Sequence, residues 1–166
     1  ATGPMAKLMS LRDLATCYDG LFCDIWGVLH NGVTAFPDAV DALCRYREQG
    51  GKVILLTNAP RCNRIIYPQL DRLGVPREAF DAVVTSGDVT KSLLHEQPET
   101  PLFHFGPARV RSILEGLANP IVDCADSKLC LLTGPLDDGI ESAEIYETLL
   151  TEMRGRGVEV ICANPD

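Results

Sequence analysis

Short continuous apolar runs alternate along this chain with stretches of helical spacing. Residues 21–25 (Leu21-Phe22-Cys23-Asp24-Ile25) are apolar but for one carboxylate, the pattern of a strand buried on both faces. Val40, Leu43 and Cys44 then recur at helical spacing over 37–49, with Pro37 suited to the first turn and Gly50-Gly51 ending it. Residues 52–57 (KVILLT) predict a second buried strand. A helix over 60–73 is expected to open at Pro60, to present Ile66, Leu70 and Leu73 on one face, and to stop at Gly74. Residues 81–85 (DAVVT) give a third strand, and Ser86 reads as the N-cap of a helix reaching about Glu96. This βαβαβ order predicts an α/β fold with a parallel sheet and right-handed crossovers.

The pattern breaks at Gln97-Pro98-Glu99-Thr100-Pro101, which reads as a linker. Beyond it the spacing predicts a strand at 102–105, a helix at 107–117, a strand at 129–133, a helix at 141–154 and a strand at 158–162. Ile145, Leu149 and Met153 are expected on one face of the 141–154 helix. The expected organisation is a core segment over 1–97 and a second α/β unit over 98–166. Three strands are few for a doubly wound sheet, so the chain reads as the N-terminal part of a larger protein, with Ala1–Pro4 an addition ahead of Met5.

Composition changes this picture little and excludes several functions. Of the 166 residues, 46% are hydrophobic and 23% charged, an ordinary globular balance. The net charge of −8 and the absence of a dense Lys/Arg stretch argue against nucleic acid as a partner. An acidic protein that takes an anionic substrate must supply positive potential locally, through a metal ion or helix N-termini. Seven cysteines (Cys17, Cys23, Cys44, Cys62, Cys124, Cys130 and Cys162) contain no C-x-x-C pair. They read as thiols in a reducing compartment and give no zinc spacing. No apolar stretch reaches membrane-spanning length and the N-terminus lacks the apolar core of a signal peptide. The expected location is the cytoplasm, away from membranes.

One residue stands out chemically. Asp24 ends an apolar strand and is followed at once by a glycine-containing turn, Ile25-Trp26-Gly27-Val28-Leu29-His30. An unpaired buried charge costs several kcal/mol, so a carboxylate there does not serve the core. It lies where open α/β sheets bind ligands, outside the carboxyl ends of the strands. Thr57-Asn58 ends the next strand, which would be a neighbour in a parallel sheet. A carboxylate, a hydroxyl and backbone N–H groups converging there would make a phosphate site. Equally, Thr57 and Asn58 could cap the following helix and nothing more.

Together these stretches resemble a known family. Asp24-Ile25-Trp26-Gly27-Val28-Leu29 is similar to motif I of the haloacid dehalogenase superfamily, and Leu55-Leu56-Thr57-Asn58 to its motif II. Thr57-Asn58-Ala59-Pro60-Arg61, Thr85-Ser86-Gly87-Asp88 and Cys162-Ala163-Asn164-Pro165-Asp166 resemble its class IIA, NagD-like branch, in the subgroup with motif D-x-W-G-V-L-H. The resemblance implies a Rossmann-like parallel sheet with an inserted α/β cap domain, here beginning after motif II. It implies an Mg²⁺-dependent hydrolase of a small phosphorylated metabolite, with Asp24 as a nucleophile that becomes aspartyl-phosphate. Asp24 and the Trp26 carbonyl would ligate Mg²⁺, Thr57 and the Asn58 backbone would hold the phosphoryl group, and Asn164 and Asp166 would face the substrate from the cap. The family's motif III lysine and motif IV acidic residues are expected after Asp166, so this chain alone is expected to show little activity.

Besides those motifs, the match departs from the family at a second place. Phosphatases of the superfamily carry a second Asp two residues after the nucleophile, as general acid and base; here that residue is Trp26. A missing general acid costs about 10²–10⁴-fold in rate, least for substrates with good leaving groups. Three readings follow: a hydrolase with its acid elsewhere, His30 being one candidate; a binding or regulatory protein that kept the pocket without turnover; and chemistry that needs no leaving-group protonation. Cys23 is expected to point away from Asp24 into the core. His95 and His104 read as exposed or capped, Asp137-Asp138-Gly139 as a turn, and Glu141, Glu144 and Glu147 as the solvated face of a helix. Neither substrate identity nor oligomeric state is written in these residues.

Overall fold

The structure, a computed structural model, describes residues 10–137 and 139–164. Ala1–Pro4, Asp138, Pro165 and Asp166, which entered the sequence reading, lie outside the described residues. The chain divides into two compact units: residues up to Thr57 together with Ile66–Val84, and Asn58–Ile65 together with residues from Thr85 onward.

In the first unit, a one-turn helix α1 (Leu11–Leu14) precedes β1 (Gly20–Asp24), α2 (Pro37–Glu48), β2 (Lys52–Thr57), α3 (Asn63–Leu73) and β3 (Ala82–Thr85). The sheet order is β1-β2-β3. β1 and β2 are parallel, with Cys23 opposite Leu55 and Asp24 opposite Leu56. Asp81 secures the start of β2: its carboxylate accepts from the Val53 N–H at 2.8 Å and from the Arg47 guanidinium at 2.9 and 3.1 Å. Those bonds, the Val53 N–H first, hold the Asp81 carboxyl below its usual range.

Among the described residues the first sheet is covered on one face, where its apolar runs predict burial on both. Val53, Leu55 and Val83 are buried, as are Leu29, Leu43, Ile66 and Leu70, whereas Phe22 is 75% exposed and Leu56 and Val84 are each 38% exposed. An apolar run records that both faces are apolar; packing decides which is covered. The predicted 60–73 helix starts three residues late, at Asn63, because the stretch after β2 is held as a loop by the Gly87 N–H, which donates to the Ala59 carbonyl at 3.1 Å. Pro68 sits inside α3, where its ring removes one helical hydrogen bond.

The second unit contains α4 (Ser86–His95), β4 (Leu102–Phe105), β5 (Leu129–Leu132), α5 (Glu147–Gly155) and β6 (Glu159–Cys162), with a parallel sheet in the order β4-β5-β6. Here the central strand is covered on both faces. Leu129 and Leu131 pack with Leu94, Leu102 and Ile113 on one side, and Cys130 with Met153 and Val158 on the other. The Gln97–Pro101 stretch is pinned, since the Asn119 side-chain amide donates to the Gln97 and Thr100 carbonyls at 2.6 and 3.1 Å.

Three expectations are corrected in this unit. Thr85, not Ser86, is the N-cap of α4, and its hydroxyl accepts from the Asp88 N–H. The 107–117 stretch forms a 3-10 helix over Ala108–Leu114, bounded by Pro107 and by Gly116 at φ 77°. The 141–154 stretch divides into a 3-10 turn, Ala143–Tyr146, and then α5. Consequently Ile145 is 60% exposed and leaves the face that buries Met153. Glu141 precedes the turn, where it accepts from the Tyr146 hydroxyl and the Asp137 N–H, rather than standing on a solvated helix face with Glu144 and Glu147.

Candidate active site

The carboxyl ends of β1 and β2 place two of the sequence-predicted residues, Asp24 and Thr57, on adjacent strand ends. Asp24 is the last residue of β1 and is exposed. Its register partner is Leu56, so Thr57, the last residue of β2, lies one step further along the neighbouring strand. Paired strands run about 4.8 Å apart. The Asp24 carboxylate is fixed by one oxygen, which accepts from the Ile25 N–H at 2.7 Å. Cys23 is half-buried on the opposite face, as strand alternation predicts, and its thiol donates to the Asp24 carbonyl at 3.2 Å. Burial, then the Asp24 charge, pushes the Cys23 thiol above its ordinary range.

The turn after Asp24 is built around one buried residue. Ile25 is 4% exposed and its carbonyl accepts from the Leu29 N–H at 2.9 Å, while the Gly27 N–H donates to the His30 carbonyl at 2.8 Å. Gly27 adopts φ 75°, a conformation that a side chain would strain. Leu29 anchors the turn in the core and Trp26 is left 65% exposed. Ile25 and Leu29 therefore go in, and Asp24 and Trp26 come out.

His30 is 3% exposed. Its Nδ1 accepts from the Gly32 N–H at 3.0 Å, which places the ring proton on Nε2. Burial lowers its pKa from the ordinary histidine value. A neutral ring engaged in its own turn is a structural histidine. His104 is half-buried with Nε2 at 2.9 Å from the Thr133 hydroxyl, and burial, aided by Arg111, lowers its pKa as well.

Asn58 is exposed and opens the second unit. Asn164 belongs to that unit too, two residues after the end of β6. It lines a cavity of about 350 Å³ at the carboxyl end of the second sheet, together with Phe105, Gly134, Pro135 and Tyr146. Asp166 lies outside the described residues. Asp24 and the Trp26 carbonyl are hard oxygen donors, the type Mg²⁺ takes along with water and substrate oxygens. No cluster of three or more His, Cys, Asp or Glu side chains arranged for a metal occurs among the described residues.

A sequence profile of the haloacid dehalogenase-like hydrolases matches residues 21–118, a stretch that holds Asp24, Trp26, Thr57 and Asn58. The chain belongs to this family. A hydrolase of the haloacid dehalogenase-like family from Brucella suis 1330 superposes with a TM-score of 0.87 and 45% identity, over 96% of this chain and 60% of that one. The p-nitrophenyl phosphatase from Archaeoglobus fulgidus gives 0.69 and 25%, over 90% and 56%. NagD from E. coli K-12 gives 0.63 and 21%, over 90% and 58%. The NagD-like fold that the five motifs imply is thus the fold found, and the chain spans about 60% of the length of the Brucella relative. Among curated proteins, none matches the chain.

Thr85-Ser86-Gly87-Asp88 is a motif to which the sequence alone assigns no role in the site. In the structure the Asp88 carboxylate accepts from the Asn63 N–H at 3.1 and 3.2 Å and from the Thr85 hydroxyl at 2.9 Å. The Thr85-x-x-Asp88 spacing signals a helix N-terminus, but a contact 25 residues back in sequence leaves no local trace.

Proposed function

We propose that this chain carries the nucleophile of an Mg²⁺-dependent hydrolase acting on a small phosphorylated metabolite in the cytoplasm. The observation that carries the reading is Asp24: an exposed carboxylate, anchored by the Ile25 N–H, at the end of β1 and beside the strand end that bears Thr57. Kinship to phosphatases such as that of Archaeoglobus fulgidus supports the reaction class. In this reading residues 1–97 belong to the catalytic core and 98–166 to the cap.

A carboxylate oxygen of Asp24 attacks phosphorus, the P–O bond to the leaving group breaks, and water later releases phosphate and regenerates the carboxylate. The Thr57 hydroxyl and the Asn58 backbone N–H hold the phosphoryl oxygens. Asp24 and the Trp26 carbonyl would hold Mg²⁺, which would supply charge neutralisation for those oxygens. The family resemblance assigns Asn164 and Asp166 a substrate-facing role.

A second reading has its own observation. Trp26, 65% exposed, occupies the place of the general acid and cannot protonate a leaving group, so a binding or regulatory protein with the same pocket is the alternative. Mg²⁺-dependent phosphate release from an aryl phosphate separates the two, with the full-length protein assayed beside Asp24→Asn. Release that falls at least about 10³-fold in the folded variant is the result expected of the nucleophile. No release by folded, Mg²⁺-supplied wild type would leave the binding protein.

A further inference from the structure

The loop between β2 and α3 begins with Asn58 and belongs to the second unit, where Thr85, Gly87 and Asp88 hold it. The Gly87 N–H donates to the Ala59 carbonyl at 3.1 Å. A Cβ at Gly87 would stand 2.5–2.6 Å from backbone atoms of Arg61, so only glycine lets the two backbones approach. Asp88 closes the other end of the loop through the Asn63 N–H at 3.1 and 3.2 Å. In an ordinary capping box the acidic residue at this helix position turns back to the backbone N–H of the N-cap residue. Here its carboxylate is directed to the loop instead, and the Thr85 hydroxyl holds it there at 2.9 Å while accepting from the Asp88 N–H at 2.9 Å. Ser86, between them, donates to the Ala163 carbonyl at 2.6 Å, so the loop entering Asn164 is tied to the same helix start.

We propose that Asp88, oriented by Thr85, is a positioning residue that fixes the 58–63 loop and thereby the phosphate-holding Asn58 N–H. This inference rests on the hydrolase reading above. An N–H donor stabilises a phosphoryl oxygen only when it is aimed before the substrate arrives, and a loop that begins at the last residue of a strand needs a second anchor to be aimed. Asp88 touches no reacting atom; it acts through the Asn63 N–H and the loop.

The test is calorimetric titration of the full-length protein with inorganic phosphate in the presence of Mg²⁺, comparing wild type, Asp88→Asn and Thr85→Val. The asparagine retains size but has one oxygen where two served; the valine retains shape and removes the hydroxyl that orients Asp88. The expected result is a phosphate dissociation constant raised about tenfold in either folded variant, the size of one lost charged hydrogen bond, with Asp88→Glu recovering part of it. A purely structural role would lower the melting temperature and leave the affinity of the folded fraction unchanged. Unchanged affinity in folded Asp88→Asn overturns the proposal; should that variant fail to fold, unchanged affinity in Thr85→Val does so. Wild type that binds no phosphate, or Asp24→Asn that retains turnover, overturns the hydrolase reading and this inference with it.

Discussion

In the proposed reaction, Trp26 is the residue on which the rate turns. Its side chain stands in solvent while its neighbours Ile25 and Leu29 hold the turn from inside, so the turn does not depend on the indole. With no acid at that place, leaving-group basicity should govern the rate. The expected outcome is a kcat/KM for an aryl phosphate exceeding that for a comparable alkyl phosphate by about 10²-fold or more. Trp26→Asp should narrow that ratio by accelerating the alkyl ester; a ratio unmoved by Trp26→Asp would show that the leaving group is protonated from elsewhere. The residue type and its place were legible in the sequence. The roles of His30 and Asp88 were not, because each is set by partners: His30 by burial and the Gly32 N–H, Asp88 by the backbone of Asn63.

At the scale of elements, β2 bears the contrast that its apolar run conceals. Leu55 is fully buried and Leu56, its neighbour on the other face, is 38% exposed. Leu55→Ala should destabilise by about 2–5 kcal/mol, and Leu56→Ala by about 1 kcal/mol or less. Chemical denaturation of the two variants checks this, and equal losses would mean that both faces are covered. Strands and their order were readable because continuous apolar runs and helical spacing are local signals. Helix starts and winding were less so. The 58–62 stretch stays a loop through its hold on Gly87, and the turn before α5 tightens as Tyr146 packs edge-on against Phe105 with ring centroids 4.8 Å apart.

For the molecule as a whole, acid should act through two histidines, the buried His30 and the half-buried His104, one in each unit. His30 and His104 both have pKa values lowered chiefly by burial, whereas the unfolded chain takes up these protons near about pH 6.5. Below that value the unfolded state binds more protons, so the stabilisation is complete above it and is lost as the pH falls through it. The melting temperature should drop between about pH 7.5 and pH 5.5. A His30→Asn, His104→Gln double variant, which keeps an acceptor near each hydrogen-bonding nitrogen, should show a shallower slope; an unchanged slope would remove the histidines as its cause. The sequence by itself determined the alternation of strands and helices, the placing of Asp24 and Thr57 at strand ends, and the family, since these are written in neighbouring residues and their period. Tertiary structure alone decided which face of the first sheet is covered, that His30 is neutral and enclosed, and that the helix start at Thr85–Asp88 grips the loop after β2. Those features are contacts between residues far apart in sequence, and only the folded chain brings such groups within hydrogen-bonding or packing distance.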